Sequence, residues 1–315
     1  MFSLEGYQAL RHGAGLVRRG DRGVLSVGGP DRLSWLQGLL TNDVAALPVG
    51  GVCDAAYLTP QGRMITDLRV MHLEDQTLLD VPASLSATLA ARLDGLLFSE
   101  DAQIADVSQR FVLIDLHGPK SPEVRHAAAA MLGEHAMAVV TDAPFHVPGF
   151  SIVATVERAD VIVTALIAHG SVETTLATLD VLRVEAGRPA FLIDMDEHTL
   201  PLEANLEDRA ISFTKGCYVG QEVIVRVMHR GQGRVAKKLV GLRFEKGEAP
   251  KPGDRVLSAG REIGRLTSVV WSAALESSIG LGYVHRDFLE PGTAVTVQTS
   301  SDRRAATVTS LPFVA

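Results

Sequence analysis

Apolar residues recur along the chain at two spacings: alternate positions, typical of strands, and three-to-four-residue steps, typical of helices. Helical spacing covers residues 31–40, 84–98, 121–132 and 171–187. Apolar runs bounded by turn residues predict strands at 23–27, 55–59, 63–71, 78–81, 104–107 and 111–116. Strands and helices are mixed without the regular alternation of a parallel sheet, so the sequence predicts the α+β class.

Turn and cap residues refine two of these elements. The tripeptide Pro-Gln-Gly at 60–62 separates two apolar runs and predicts a hairpin. Asp31 precedes the first helical stretch and is predicted to cap it. The pair Gly28-Gly29 belongs to neither of the phosphate-binding glycine patterns, so we interpret it as a plain turn.

From residue 239 onward the pattern changes to short strands separated by glycine- and proline-containing turns. The predicted strands are 240–244, 255–257, 264–270, 280–284, 294–298 and 305–309. Their even spacing is typical of an antiparallel β-barrel. We therefore predict a boundary near residue 235. Residues 1–235 would form an α+β region of two interleaved subdomains, and 236–315 a barrel domain.

The composition and net charge argue against several classes of protein. The net charge of −7 and the sequence pI of about 5.8 argue against a broad nucleic-acid interface. No apolar run reaches the roughly 18 residues of a membrane span, and the first twenty residues lack the apolar core of a signal peptide. The two cysteines, Cys53 and Cys217, are expected to be reduced thiols, which predicts a cytoplasmic protein.

The densest cluster of reactive residues is the stretch K-G-C-Y-V-G-Q-E at 215–222. Its glycines permit a tight loop, and the apolar run 223–227 after it predicts a strand. Cys217 is the candidate catalytic residue, because a neighbouring ammonium such as that of Lys215 raises the thiolate fraction of a thiol. The alternative is that Cys217 packs as a small apolar side chain.

This stretch resembles the K-G-C-[F/Y]-x-G-Q-E signature of the YgfZ family, which is related to the glycine-cleavage T-protein. The resemblance implies a T-protein-like multidomain fold and binding of tetrahydrofolate or another reduced folate. It also implies partners among iron–sulfur enzymes or assembly factors. Lys215, Gln221, Glu222 and the following Arg226 become candidate cofactor-binding residues.

A second element of the resemblance is R-x-E-A-G, with Arg183 and Glu185 as further candidate cofactor-binding residues. In the T-protein this carboxylate binds the pterin. The chemistry fits, because a carboxylate accepts two parallel N–H donors through both oxygens. From the residues alone, the alternative is a surface ion pair of Glu185 with Arg183 or Arg188, of little energetic value.

The third element is Thr66-Asp67-Leu68, where the T-protein carries D-D-L with an aspartate that assists chemistry at the reactive nitrogen of folate. Asp67 is therefore the second candidate catalytic residue, and the alternative is an exposed strand carboxylate near Arg63 or Arg69. The T-protein's V-N-A-x-N is replaced by V-P-A-S-L at 81–85. Both asparagines are lost, which disfavours aminomethyl transfer more than folate binding.

Two polar stretches complete the set of candidates. The acidic stretch 193–203, together with Asn205, is predicted to line a ligand cavity, and we predict no metal site there because no second histidine falls at ligand spacing. The basic stretch 226–238 is either a solvated hairpin or a landing site for anions such as a folate tail.

The resemblance implies one of three functions. The first is a tetrahydrofolate-binding protein that supports iron–sulfur cluster assembly or repair and so, indirectly, tRNA-modifying enzymes. The second is a folate-dependent aminomethyltransferase. The third is a demethylase-like domain that works beside a flavoprotein, against which the complete signature argues.

Overall fold

The computed structural model describes residues 1–141, 143–229 and 233–314. The chain divides into two compact units. Unit 1 comprises Met1–Tyr57, Thr66–Leu179 and Arg209–Val219, and unit 2 comprises Leu58–Ile65, Asp180–Asp208 and Gly220–Ala315.

The helices and strands of the described residues are as follows. The helices are α1 Leu4–His12, α2 Arg32–Leu39, α3 Ser86–Asp94, α4 Ser121–Ala127, α5 Ala129–His135, α6 Val156–Ala168, α7 Leu176–Glu185, α8 Glu207–Ala210 and α9 Gln221–His229. The strands are β1 Gly15–Arg18, β2 Arg22–Gly28, β3 Val52–Leu58, β4 Met64–His72, β5 Thr77–Pro82, β6 Gln103–Asp106, β7 Phe111–His117, β8 Ala136–Thr141, β9 Gly149–Thr155, β10 Val172–Glu173, β11 Lys237–Phe244, β12 Arg255–Ser258, β13 Arg261–Ser272, β14 Ser277–His285, β15 Ala294–Gln298 and β16 Arg303–Thr309.

Unit 1 contains most of two five-stranded sheets. Their strand orders are β10-β1-β7-β9-β8 and β3-β4-β5-β2-β6. Most neighbours are antiparallel, and β1 pairs with β10 in parallel. Helix α6 covers the first sheet through an apolar cluster that includes Leu116, Ile152, Ile162 and Leu166, all fully buried. Burying such side chains stabilises the fold by about 1.5–3 kcal/mol each.

Unit 2 is built on a closed six-stranded barrel with strand order β11-β14-β13-β12-β15-β16. All of its described pairings are antiparallel. Alternate residues of each strand fill the interior, among them Leu242, Val256, Val284 and Val297. The predicted α+β class with a C-terminal antiparallel barrel is thus confirmed.

The predicted strand at 223–227 is wrong, because these residues lie in helix α9. The β-branched run favours a strand locally, but a helix satisfies its own backbone without a partner strand. Ile224 is the buried residue of the run. Glu222 in the first turn and Arg226 in the last turn have the charges that favour those helix ends.

Three smaller predictions need correction. The helix expected from residue 171 begins at Leu176, because Val172–Glu173 pairs with β1. Asp31 precedes α2, but its carboxylate accepts from the amide of Asp101 at 2.8 Å and does not cap the helix. The stretch 84–98 is helical only as far as Asp94. Residues 230–232 of the basic stretch lie outside the described residues.

Glycine has a steric role where the hairpin tip of β3 and β4 meets the start of α9, within unit 2. Gly220 adopts a φ of 84°, in the left-handed region that favours glycine. A Cβ at Gly220 would lie 2.5 Å from the carbonyl oxygen of Thr59. A Cβ at Gly62 would lie 2.8 Å from Cβ of Val223. Both glycines are therefore required by close packing.

Candidate functional site

Lys215 anchors the signature loop to the end of helix α2, within unit 1. Its ammonium donates hydrogen bonds to the carbonyl oxygens of Gln37 and Leu40, both at 2.6 Å, and Asn42, at 2.9 Å. These groups include carbonyls left without helical partners at a C-terminus, where a cation is favoured. Burial lowers the pKa of Lys215 to about 8. The ammonium also lies 5.2 Å from the ring centroid of Tyr218.

Cys217 is an exposed free thiol on this anchored loop. Tyr218 beside it is buried, and the amide of Val219 donates to the carbonyl of Gly38 at 3.2 Å. A Cβ placed at Gly216 would meet open space. The loop is therefore held on both sides of a solvent-accessible sulfur. This exposure argues against the alternative that Cys217 is a packed apolar residue.

The other thiol of the chain has a different environment. Cys53 is half-buried, and burial, reinforced by the charge of Asp54, raises the pKa of its thiol to about 12. The charge of Lys215 acts in the opposite direction on this thiol. Cys53 is accordingly a poor nucleophile at neutral pH, since the thiolate is the reactive form.

Asp67 lies on strand β4 in unit 1 and is half-buried. Its Oδ1 is shielded from solvent and has no hydrogen-bond partner in the described part of the chain. Burial raises the pKa of Asp67, although the guanidinium groups of Arg22 and Arg209 lower it. A shielded carboxyl with a raised pKa suits proton transfer to a bound molecule. Asp67 is therefore not the exposed strand carboxylate of the alternative.

Arg183 is the centre of a buried polar network in unit 2. Its guanidinium donates to Asp194 at 2.5 Å, to Asp180 at 2.7 Å, and to the Ser268 hydroxyl and Arg188 carbonyl, both at 2.8 Å. Asp194 also accepts from the Ser268 hydroxyl at 2.7 Å. Arg183 thus binds the end of α7 to the following loop and to strand β13.

Glu185 is fully buried at the end of α7, also in unit 2. Its Oε1 accepts from the hydroxyl of Ser272 at 2.5 Å, and its backbone carbonyl accepts from the amide of Phe313 at 2.7 Å. The Glu185 side chain is therefore not on the surface, where the alternative of a solvated ion pair would place it.

The last three predicted site residues lie on helix α9 of unit 2. Gln221 is half-buried, whereas Glu222 and Arg226 are exposed. Their four-residue separation places Glu222 and Arg226 on one helix face. A strand would have separated these side chains more widely, so the helix brings Glu222 and Arg226 closer together.

Sequence profiles assign two domains to the chain. The GCVT N-terminal domain matches residues 2–155, and the glycine cleavage T-protein C-terminal barrel domain matches residues 237–315. The chain is 27% identical to the aminomethyltransferase of Halothermothrix orenii over 99% of this chain and 91% of that relative. It is 30% identical to the aminomethyltransferase of Saccharopolyspora erythraea over 98% of this chain and 88% of that relative. The chain belongs to the aminomethyltransferase family.

A solved aminomethyltransferase structure has the same fold. The glycine cleavage system aminomethyltransferase T of Bartonella henselae superposes with a TM-score of 0.87 at 23% identity, over 99% of this chain and 89% of that one. The predicted T-protein-like fold is therefore confirmed.

This member of the aminomethyltransferase family holds its site residues through contacts that the sequence did not reveal. Ser268 and Ser272 are bonded to Asp194, Arg183 and Glu185 but were not predicted, because residues 74–87 positions apart leave no local signal. In the described part of the chain, no group of three or more His, Cys, Asp or Glu side chains is arranged for a metal ion. None of the described helices has the length and apolar character needed to cross a membrane.

We expect Asp67→Asn to stabilise this aminomethyltransferase relative by about 0.5–2 kcal/mol at pH 7, because burial disfavours the charged form of the carboxyl group that the variant removes. Because the folded-state pKa of Asp67 is raised, the folded protein binds more protons than the unfolded chain between the two pKa values. The free energy of unfolding therefore falls as the pH rises through that interval. Asp67→Asn has no carboxyl group at this position and does not lose this stability.

Thermal unfolding of both proteins from pH 3 to pH 8 measures the effect. The gain in melting temperature should be largest above the folded-state pKa and should shrink towards pH 3, where both states are protonated. Asp75→Asn, at an exposed position, is the control and should change little. An equal gain at every pH would contradict the raised pKa.

Proposed function

We propose that this protein binds tetrahydrofolate and supports assembly or repair of iron–sulfur clusters in client enzymes, as in the YgfZ family. The observation that carries the proposal is the exposed thiol of Cys217 within the complete K-G-C-Y-V-G-Q-E stretch, on a loop anchored by Lys215. A single thiolate cannot hold a cluster, which typically needs four protein ligands. Cys217 would therefore act transiently on iron–sulfur species shared with a client or assembly factor, and indirectly on tRNA-modifying enzymes.

Two carboxyl groups, one in each unit, are candidates for separate tasks. Glu185 in unit 2 would accept the N–H donors of the pterin, since burial strengthens such charged hydrogen bonds. Asp67 in unit 1, with its shielded Oδ1 and raised pKa, would hold or accept a proton. A reduced folate, when bound, supplies a nitrogen that carries one-carbon units.

The remaining candidate residues divide by environment. Gln221, Glu222 and Arg226 present their side chains on α9, and we assign them to contacts with the polar part of folate. Lys215 and Arg183 have several protein partners each, so we propose that they position the loop and the end of α7. We propose a cytoplasmic location, which two free thiols support.

A second candidate function is aminomethyl transfer, which is favoured by the names of the relatives. The single aspartate at Asp67 and the V-P-A-S-L sequence at 81–85 oppose it. Proline and leucine at these positions lack the amide donors and acceptors that orient a polar substrate.

The test is a calorimetric titration of the purified protein with reduced folates, together with an assay for aminomethyl transfer from a lipoylated carrier protein. We expect folate binding without transfer. An established aminomethyltransferase serves as the positive control in both assays. Robust turnover would make the second function the better one, and absence of binding to every reduced folate would overturn both.

Glu185→Gln should weaken reduced-folate binding by about 1–3 kcal/mol, the effect of spoiling a charged hydrogen-bond pair. The amide retains the size of the carboxylate but offers only one acceptor oxygen. Glu197→Gln, at an exposed position, is the matched control and should bind folate normally. Unchanged affinity in a folded Glu185→Gln protein would remove Glu185 from the pterin site.

A further inference from the structure

A cleft of about 880 Å³ lies within unit 2, between the loop that follows α7 and the wall of the barrel. Its volume is within the range of small-molecule sites. Among the described residues that line it, none is a side chain to which folate binding was assigned. Residues of the acidic stretch 193–203 contribute to its lining.

Tyr283 on strand β14 contributes a buried hydroxyl to this cleft. Tyr283 is 7% exposed, and its shielded hydroxyl has no hydrogen-bond partner of ordinary geometry in the described part of the chain. Burial and the charges of Asp194, Glu203 and Asp196 raise the pKa of Tyr283, whereas the nearby Thr199 hydroxyl lowers it. The phenol therefore remains a donor, and a bound molecule with an acceptor oxygen would give it a well-aligned acceptor.

Glu203 contributes a buried carboxylate to the same cleft. The residue is 5% exposed, and one oxygen accepts from the amide of Leu200 at 3.2 Å. In the described part of the chain no Lys, Arg or His side chain forms an ion pair with it, whereas Asp194 nearby is paired with Arg183. A capping bond alone does not balance a buried charge. The carboxylate is suited to a positively charged ligand group.

The rim of the cleft is apolar and locally strained. Leu192 and Ile193 are 52% and 55% exposed although both are large apolar residues. Leu192 adopts a φ of 70°, which is rare for a bulky side chain, and its amide donates to the carbonyl of Met195 at 2.7 Å. Strain of this kind is typical of ligand-binding segments. It holds two apolar side chains at the opening.

Two cationic side chains of the cleft, Lys237 and Arg265, have neighbours other than Glu203. The ammonium of Lys237 lies 4.8 Å from the ring centroid of Tyr283. Burial raises the pKa of Asp196, whereas hydrogen bonds and, to a smaller extent, the charge of Lys237 lower this pKa. Arg265 is paired with Glu262 at 3.1 Å. Glu203 is therefore the acid of the cleft whose charge is least balanced.

We propose that this cleft is a second ligand site, which binds a small organic primary amine carrying an adjacent oxygen acceptor and a branched apolar chain. The ammonium would pair with Glu203, the oxygen would accept from the hydroxyl of Tyr283, and the chain would pack against Leu192 and Ile193. The site is separate from the residues assigned to folate and does not depend on the proposed function.

The test is a ligand-observed NMR titration of the full chain with L-leucinamide, which contains all three groups. We expect a dissociation constant on the order of 1 mM. The control compounds are 4-methylpentanamide, which lacks the amine, and 4-methylpentanoate, which carries a negative charge. Both should bind at least roughly tenfold more weakly, because the charged hydrogen bond is lost. Equal binding of all three, or no binding of L-leucinamide, overturns the proposal.

Two variants locate the site. Tyr283→Phe removes only the hydroxyl and should weaken L-leucinamide binding roughly fivefold, and Glu203→Gln should weaken it roughly tenfold or more. Tyr57→Phe and Glu197→Gln are the matched controls and should bind normally. Circular dichroism verifies folding, and Tyr283→Phe remains informative if Glu203→Gln unfolds. Unchanged binding to Tyr283→Phe, or loss of folate affinity in that variant, contradicts a separate second site.

Discussion

Cys217→Ser should abolish the protein's support of iron–sulfur enzymes in cells while leaving its fold intact. The thiol is exposed on a loop whose anchoring bonds come from Lys215 and the backbone of Val219, so its replacement removes no packing. We expect the free energy of unfolding to change by less than about 1 kcal/mol, as for most surface substitutions. The hydroxyl is not ionised at neutral pH and does not bind soft metals as a thiolate does.

The measurement is recovery of sensitive iron–sulfur enzyme activity in cells that lack the native protein. Cys53→Ser is the matched control and should restore activity, because the half-buried Cys53 thiol, with a pKa of about 12, is largely protonated. Alkylation should label Cys217 before Cys53 in the native protein. Full rescue by Cys217→Ser, or faster labelling of Cys53, would show that the chemical role lies elsewhere.

Arg183→Met should destabilise the protein by about 3–5 kcal/mol, the range for removing one partner of a buried ion pair. Methionine retains much of the arginine's apolar volume, so the loss comes from Asp194, which remains buried without its cation. The bonds to Asp180 and Ser268 are lost as well. Urea denaturation measures the change.

Two further variants test whether the unpaired charge is the cause. Arg183→Met combined with Asp194→Ala should recover part of the loss, because no unpaired carboxylate remains. Arg255→Met breaks an exposed pair with Glu262 at 3.7 Å and should cost less than about 1 kcal/mol. Arg183→Met as mild as Arg255→Met would show that the network contributes little to stability.

The barrel strands were predicted well, because turn signals mark their ends. The residues 252–254 and 290–292 fix where β12 and β15 begin, and the apolar alternation between turns fixes which side faces inward. Helix α9 was mispredicted, since its β-branched residues favour a strand over such a short window. The tertiary structure favours the helix, because Ile224 is buried and no described strand pairs with the segment.

The candidate site residues were likewise predictable only where the pattern is local in the sequence. The signature predicts Cys217 and Lys215, because both lie within one short motif. It could not reveal that the Lys215 ammonium binds carbonyls 173–178 residues earlier in the chain. The shielding of Asp67 Oδ1 and the complete burial of Glu185 likewise depend on neighbours from distant segments, which one sequence does not place.

The tight contact of Gly220 with Thr59 has a consequence for how such proteins are recognised. A larger residue at this position would collide with the hairpin whether or not the protein performs any chemistry. Natural selection for folding alone would therefore preserve this glycine in descendants that have lost the thiol. A search that weights all positions of the signature equally would therefore not distinguish such descendants from proteins that keep a thiol at the position of Cys217.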